Sequence, residues 1–178
     1  MSAKNHVESV AGHLSGSART VRAEDIVTEI QRLMGEHSIE AVYEHRVLPH
    51  RTRRYDLSGR GTKVEILHTL LGIELKVGEK RLLCPDLATA RYLSVFARLG
   101  CETLAVPYDI TQVSRLADEL ESSWHRMMLL VEHLTSGRSE RLRAVVRRRL
   151  VLETREKIAK LGGGALYPKF DQSTRQRR

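Results

Sequence analysis

The segment GIELKVG at residues 72–78 leaves its backbone little choice. Ile73, Leu75 and Val77 alternate with Glu74 and Lys76, so an extended strand puts the apolar groups on one face and the charged pair on the other. A helix would scatter the same residues around its axis. The apolar face must be buried. The other face must be solvated, ion-paired or used, because a charge taken from water without a partner is costly.

Around this strand the chain divides into recognisable pieces. Residues 1–20 are rich in Ser, Ala, Gly and His without a sustained period, and are expected to form a mobile leader. From 22 to 36, Ile26, Val27, Ile30, Leu33 and Met34 recur at helical spacing, with Gly35 as a stop. EAVYEHRVL (40–48) reads as a strand from its Val and Tyr content, and Pro49 ends it. HRTRRYDL, ending at Leu57, is a second strand candidate, and SGRG (58–61) is a turn. VEILHTLL before Gly72 suits either helix or strand. RLLC (81–84) is a short strand, and Pro85 and Asp86 open a helix closed by Gly100. CETLAVPYDI (101–110) reads as a buried strand. Two helices follow, at about 112–135 and 138–160, then Gly162, Gly163 and Gly164 and a basic tail over 162–178. The organisation is therefore a core over 21–111, a helical extension over 112–161 and the tail. The class is α/β with a C-terminal helical hairpin.

Composition narrows the function. Thirty Lys and Arg against 22 Asp and Glu give a net charge of +8, and the cations cluster, which favours a polyanionic partner such as nucleic acid. Cys84 and Cys101 are too few for a disulfide framework, lack zinc spacing and sit among apolar residues. They suit buried thiols in a reducing cytoplasm, so the expected localisation is cytoplasmic. No run of about 18 apolar residues offers a membrane span, and the N-terminus lacks the apolar run of a signal peptide. GGGALYPK is no phosphate-cradling loop, since it lacks Gly-Lys-Ser/Thr.

Glu74 and Lys76 on one strand face carry the chemistry. A carboxylate suits Mg²⁺, a hard cation, and a lysine one step along can align a water and steady charge growing on a phosphate. A second carboxylate must converge on the ion. Asp56 does so if its strand neighbours that of Glu74, and Glu65 is the rival. Glu29, beside the apolar stripe of the first helix, is the third candidate.

The order helix with Glu, strand with Asp, strand with Glu-x-Lys, helix, strand resembles the PD-(D/E)xK nuclease superfamily. That superfamily includes restriction enzymes, archaeal Holliday-junction resolvases and RecB-like nucleases. The resemblance rests on RRYDL (53–57), GIELKVG (72–78), DLATARYLSVFARLG (86–100) and CETLAVPYDI (101–110). It implies a restriction-endonuclease-like fold, a mixed central sheet flanked by helices. It implies Asp56, Glu74 and the carbonyl of Leu75 as ligands of Mg²⁺ or Mn²⁺, Lys76 as the residue placing the water, and Arg91 as a polar residue facing the site. Tyr55 stands where the family often has Pro, and the 18-residue gap between Asp56 and Glu74 is long for a hairpin.

The implied function is a metal-dependent DNA endonuclease, with branched or damaged DNA as a substrate class. The alternative is a nuclease-fold module that holds nucleic acid without cutting it. Arg46, His50, Arg51, Arg53 and Arg54 lead into Asp56 and would grip phosphates. Arg147, Arg148 and Arg149 fan around the last helix and would add backbone contacts, or be answered by local ion pairs. The stripe Leu120, Trp124, Met127, Val131 is either core between the last helices or the seam of a homodimer.

Overall fold

The structure is a computed structural model that describes residues 22–47, 52–59, 63–161 and 169–170. The leader, His50, Arg51, the triple glycine and most of the tail lie outside the described residues.

Helix α1 (Ala23–Met34) buries Ile26, Val27, Ile30 and Met34, the stripe its spacing predicts. Ser38 then caps a short α2 (Ile39–Val42) by accepting a hydrogen bond from the Ala41 amide, and a π-helical turn (Tyr43–Val47) continues it. This corrects the strand expected over 40–48. Ile39, Val42, Tyr43 and Val47 are all buried and recur at steps of three and four. That helical period outweighs the β-preference of Val and Tyr.

The strands form two three-stranded sheets, all antiparallel, where a single mixed sheet was expected. One is a meander of β2 (Val64–Thr69), β3 (Gly72–Val77) and β4 (Lys80–Cys84). Its turns are two residues long, Leu70-Leu71 and Gly78-Glu79. Gly78 takes a φ of 59°, which suits the first position of a hairpin turn that other residues enter with strain. The ambiguous segment VEILHTLL thus resolves into strand and turn. The other sheet runs β1 (Thr52–Asp56), β5 (Cys101–Pro107), β6 (Lys169–Phe170).

The sheets meet where the segment after β1 passes the β3–β4 turn. Gly59 lies against the Val77 carbonyl, and Lys80 reaches Asp56 at 3.0 Å. Helix α3 (Leu87–Arg98) spans both sheets and carries the centre of the core, with Tyr92, Leu93, Val95 and Phe96 fully buried. The Asp86 carboxylate caps it, accepting from the Thr89 amide at 2.7 Å.

Helices α4 (Ile110–Leu134) and α5 (Glu140–Lys160) follow β5, and α1 packs against both. Leu120, Met127 and Val131 are buried inside the protomer, with Trp124 half-buried beside them, so this stripe is core. Both cysteines are buried thiols that form no disulfide. No helix among the described residues is long and apolar enough to cross a membrane.

Candidate active face on the β2–β3–β4 sheet

Strand β3 is the centre of its sheet, so its register fixes what stands beside Glu74 and Lys76. Leu75 is buried on the inner face. On the outer face Lys76 lies opposite Glu65 of β2 and Arg81 of β4, while Glu74 lies between Leu67 and Leu83. Two carboxylates and two cations therefore share one face, with Glu65 and Glu74 diagonal neighbours, roughly 7–8 Å apart at this register.

Glu74 is the one charged side chain that is buried among the described residues, at 8% exposure. Its carboxylate receives two long contacts, 3.4 Å from the Thr69 hydroxyl and 3.4 Å from Arg81. Both exceed the 2.7–3.2 Å or so of a well-formed bond. A desolvated carboxylate this loosely held keeps lone pairs for another donor or cation. Glu65 is held at 2.9 Å by Lys63 and at 3.8 Å by Lys76. The hydrogen bond from Lys63 leads in holding its carboxyl below the usual range.

Asp56 stands elsewhere. Its strand pairs with β5, so the adjacency that would let it share an ion with Glu74 is supplied by β2 and Glu65 instead. The Asp56 carboxylate accepts from the Ser58 amide at 2.8 Å and hydroxyl at 2.5 Å, and pairs with Lys80. The Ser58 bonds, then Lys80, bring its pKa down to about 2. Glu29 is not gathered to the face either. It grips Arg32 through both oxygens, at 2.7 and 2.8 Å, on a helix whose neighbours are α4 and α5. The carbonyl of Leu75 belongs to a central strand and serves the sheet ladder, leaving its second lone pair.

The expected phosphate contacts divide in the same way. Arg46 pairs with Glu119 at 2.6 Å, and Arg91 with Glu121 at 2.7 Å and Asp118 at 2.8 Å, so Arg91 serves the α3–α4 contact. Arg147 pairs with Glu132 at 2.9 Å, and Arg149 with Glu24 at 2.6 Å and Glu153 at 3.8 Å. Arg148 is exposed and has no ion-pair partner among the described residues. Arg53 lies over the Tyr55 ring at 5.3 Å, its Nε buried without a hydrogen bond among the described residues, and Arg54 reaches Thr103 at 3.4 Å.

Sequence reasoning passed over Arg81, Thr69 and Lys80. The signal for Arg81 was present, since a two-residue turn at Gly78-Glu79 puts it directly across from Lys76.

Among the described residues no three His, Cys, Asp or Glu side chains converge into a cage for a metal ion. Glu65 and Glu74 fit a hard divalent cation in the manner common for Mg²⁺, which is often held by one or two carboxylates and completes its shell with water and substrate oxygens. No protein-family model, curated protein or solved structure matches the chain.

Proposed function

We propose that the outer face of the β2–β3–β4 sheet hydrolyses DNA phosphodiester bonds with the help of Mg²⁺ or Mn²⁺. The observation that carries this reading is Glu74, a buried carboxylate with only long contacts, one step from Lys76 and diagonal to Glu65. Such a group costs stability, and its retention suits a site that uses it. Bound at the carboxylates, a divalent cation supplies Lewis acidity to a phosphoryl oxygen. Glu74 and Glu65 hold it, Lys76 orients the attacking water, and Arg81 faces the charge that grows on the phosphate. The restriction-endonuclease-like resemblance agrees with the Glu-x-Lys strand, with Glu65 taking the place expected of Asp56.

A second reading is favoured by the ion pairs themselves. Lys76 against Glu65 and Arg81 against Glu74 are also what a non-catalytic, nucleic-acid-holding module would need to keep two carboxylates quiet.

Labelled duplex, single-stranded and four-way-junction DNA, each with Mg²⁺, Mn²⁺ or EDTA, separates the two. Wild type is expected to cleave at least one substrate with metal and none with EDTA. Glu74→Gln and Glu65→Gln are expected to abolish cleavage, while Asp56→Asn retains it. Binding without cleavage by wild type overturns the catalytic reading. Loss of activity in Asp56→Asn with retention in Glu65→Gln overturns the choice of carboxylates.

A further inference from the structure

A cleft of about 520 Å³ lies away from the Glu74 face, between the α2–π-turn segment and α4. Its construction is specific. Glu119, Ser122, Ser123 and Arg126 recur at steps that place them on one face of α4, and all four line it. The opposite wall includes His45 and Arg46 from the π-helical turn, with His37 from the turn before α2. A π-helical turn admits an extra residue, is rare, and occurs often at functional sites. Here it brings His45 and Arg46 to the surface while Tyr43 and Val47 stay buried.

The charges in the cleft leave one arginine without a carboxylate partner, and one exposed carboxylate, Glu36, without an arginine or lysine, among the described residues. Arg46 neutralises Glu119, and Asp118 is taken by Arg91 at 2.8 Å. Glu36 is exposed and, among the described residues, has His37 at 3.9 Å as its one ion-pair contact. Arg126 has no carboxylate partner among the described residues. One of its terminal nitrogens donates to the Leu33 carbonyl at 3.3 Å, a long bond to a neutral acceptor that leaves the charge undischarged. The planar guanidinium presents its remaining N–H groups as a fork, the geometry that matches phosphate oxygens. His37, His45 and Ser122 add donors around the same space, and Ala41 and Val42 give it a small apolar wall.

We propose that this cleft binds a phosphoryl group carried on a body of about nucleotide size. The volume exceeds what a lone phosphate fills and falls in the range of roughly 300–1,000 Å³ typical of small-molecule sites. Arg126 takes two phosphoryl oxygens, and the imidazoles and Ser122 complete the anion's hydrogen bonds. The same chemistry is offered by a free nucleotide and by the terminal phosphate of a nucleic-acid strand. The proposal does not depend on the Glu74 face.

The test is calorimetric titration of the full chain with pyrophosphate, AMP and a 5′-phosphorylated oligothymidylate, with histidine ring NMR signals followed in parallel. AMP is expected to bind saturably and to shift the rings of His37 and His45. Arg126→Gln is expected to weaken it at least about tenfold. Ser122→Trp, which fills the mouth of the cleft from an exposed helix position, is expected to abolish it with the circular dichroism spectrum unchanged. Glu74→Gln is expected to leave it unaltered. Tighter binding of the oligonucleotide than of AMP assigns the cleft to a strand end, and the reverse assigns it to a free nucleotide. Absence of saturable binding for all three probes overturns the proposal, as does AMP binding that survives both Arg126→Gln and Ser122→Trp.

Discussion

Replacing Glu74 by leucine should make the protein more stable and, if the outer face works as proposed, inactive. The side chain is only 10% accessible and stands between Leu67 and Leu83 on the sheet. Removing its carboxylate strands no buried partner. Thr69 Oγ1 still donates to the Gly72 carbonyl and accepts from the Leu71 amide, both at 3.2 Å. Arg81 is 59% exposed and returns to water. The loss of a pair open on one side is worth about 0–1 kcal/mol. Against it stand the relief of a desolvated charge and the burial of leucine methyl groups at about 0.8 kcal/mol per carbon. Exchanging a whole buried ion pair for packed apolar groups of similar volume has been neutral or has stabilised proteins by about 1–4 kcal/mol, and here the one partner left behind is exposed. Because Arg81 is largely exposed, the lower part of that range applies, about 1–2 kcal/mol, or a rise in Tm of roughly 2–8 °C for a chain of this size. Urea unfolding followed through Trp124, the single tryptophan, measures it. A loss of stability greater than about 0.5 kcal/mol would refute the reasoning, since it would mean that the long Thr69 and Arg81 contacts hold the sheet together. Greater stability with lost cleavage is the signature of a residue kept for activity.

Leu150 is 2% exposed in α5, and Leu150→Ala should cost about 2–4 kcal/mol in the same unfolding assay; a cost below 1 kcal/mol would show that α5 is not part of the cooperative core. At Gly59 a β-carbon would press on the Val77 carbonyl, a backbone atom that cannot turn aside, so Gly59→Ala should lose about 1–3 kcal/mol. An unchanged midpoint would show that the two sheets are not in close contact there. The folded-state pKa of Asp56 is brought down to about 2, so what stability it confers is complete above its ordinary value and fades as pH falls through about 2. Its carboxylate is 62% exposed, so that contribution is small, and carboxyl NMR titration is the better readout. Ser58→Ala, which removes the hydroxyl bond and keeps the amide bond, should raise the pKa, because that hydroxyl bond is the largest single cause of the lowering.

The parts of the fold legible in the sequence are those where one period governs a whole element. The stripe Ile26, Val27, Ile30, Met34 and the alternation in β3 each have a single geometric solution. The segment over 40–47 is short and half-exposed, and the β-preference of its Val and Tyr competes with the helical spacing that begins at Ile39. Strand partners were harder still. Nothing local to RRYD indicates that it pairs with the chain 50 residues on, at Leu104 and Ala105. Glu74 and Lys76 were legible because they follow from one strand, whereas the partner carboxylate depended on which strand lies next to it. The two-residue turn at Leu70-Leu71 makes β2 the neighbour of β3 and so puts Glu65 beside Lys76 and diagonal to Glu74.

The arginine fan of α5 shows how a basic sequence overstates its free charge. Arg143 and Arg147 both reach Glu132 on α4, and Arg149 reaches Glu24 on α1. These cations tie helices together and bring a carboxylate into any approach by DNA. An arginine already facing a carboxylate neutralises a phosphate less fully and so frees fewer of the cations condensed on the DNA, and the displaced carboxylate then repels the incoming phosphate. Arg148, exposed and unpaired among the described residues, has neither handicap. Each phosphate neutralised by a free cation contributes about −0.9 to the slope of log Kobs against log salt on duplex DNA. If α5 contacts DNA, Arg148→Gln should flatten that slope by nearly this amount. Arg147→Gln should change it little and instead lower stability slightly, through the lost bond to Glu132. Fluorescence anisotropy across a salt series reads both. Equal flattening by the two variants would mean that the ion pairs open on binding and that the whole fan meets the backbone.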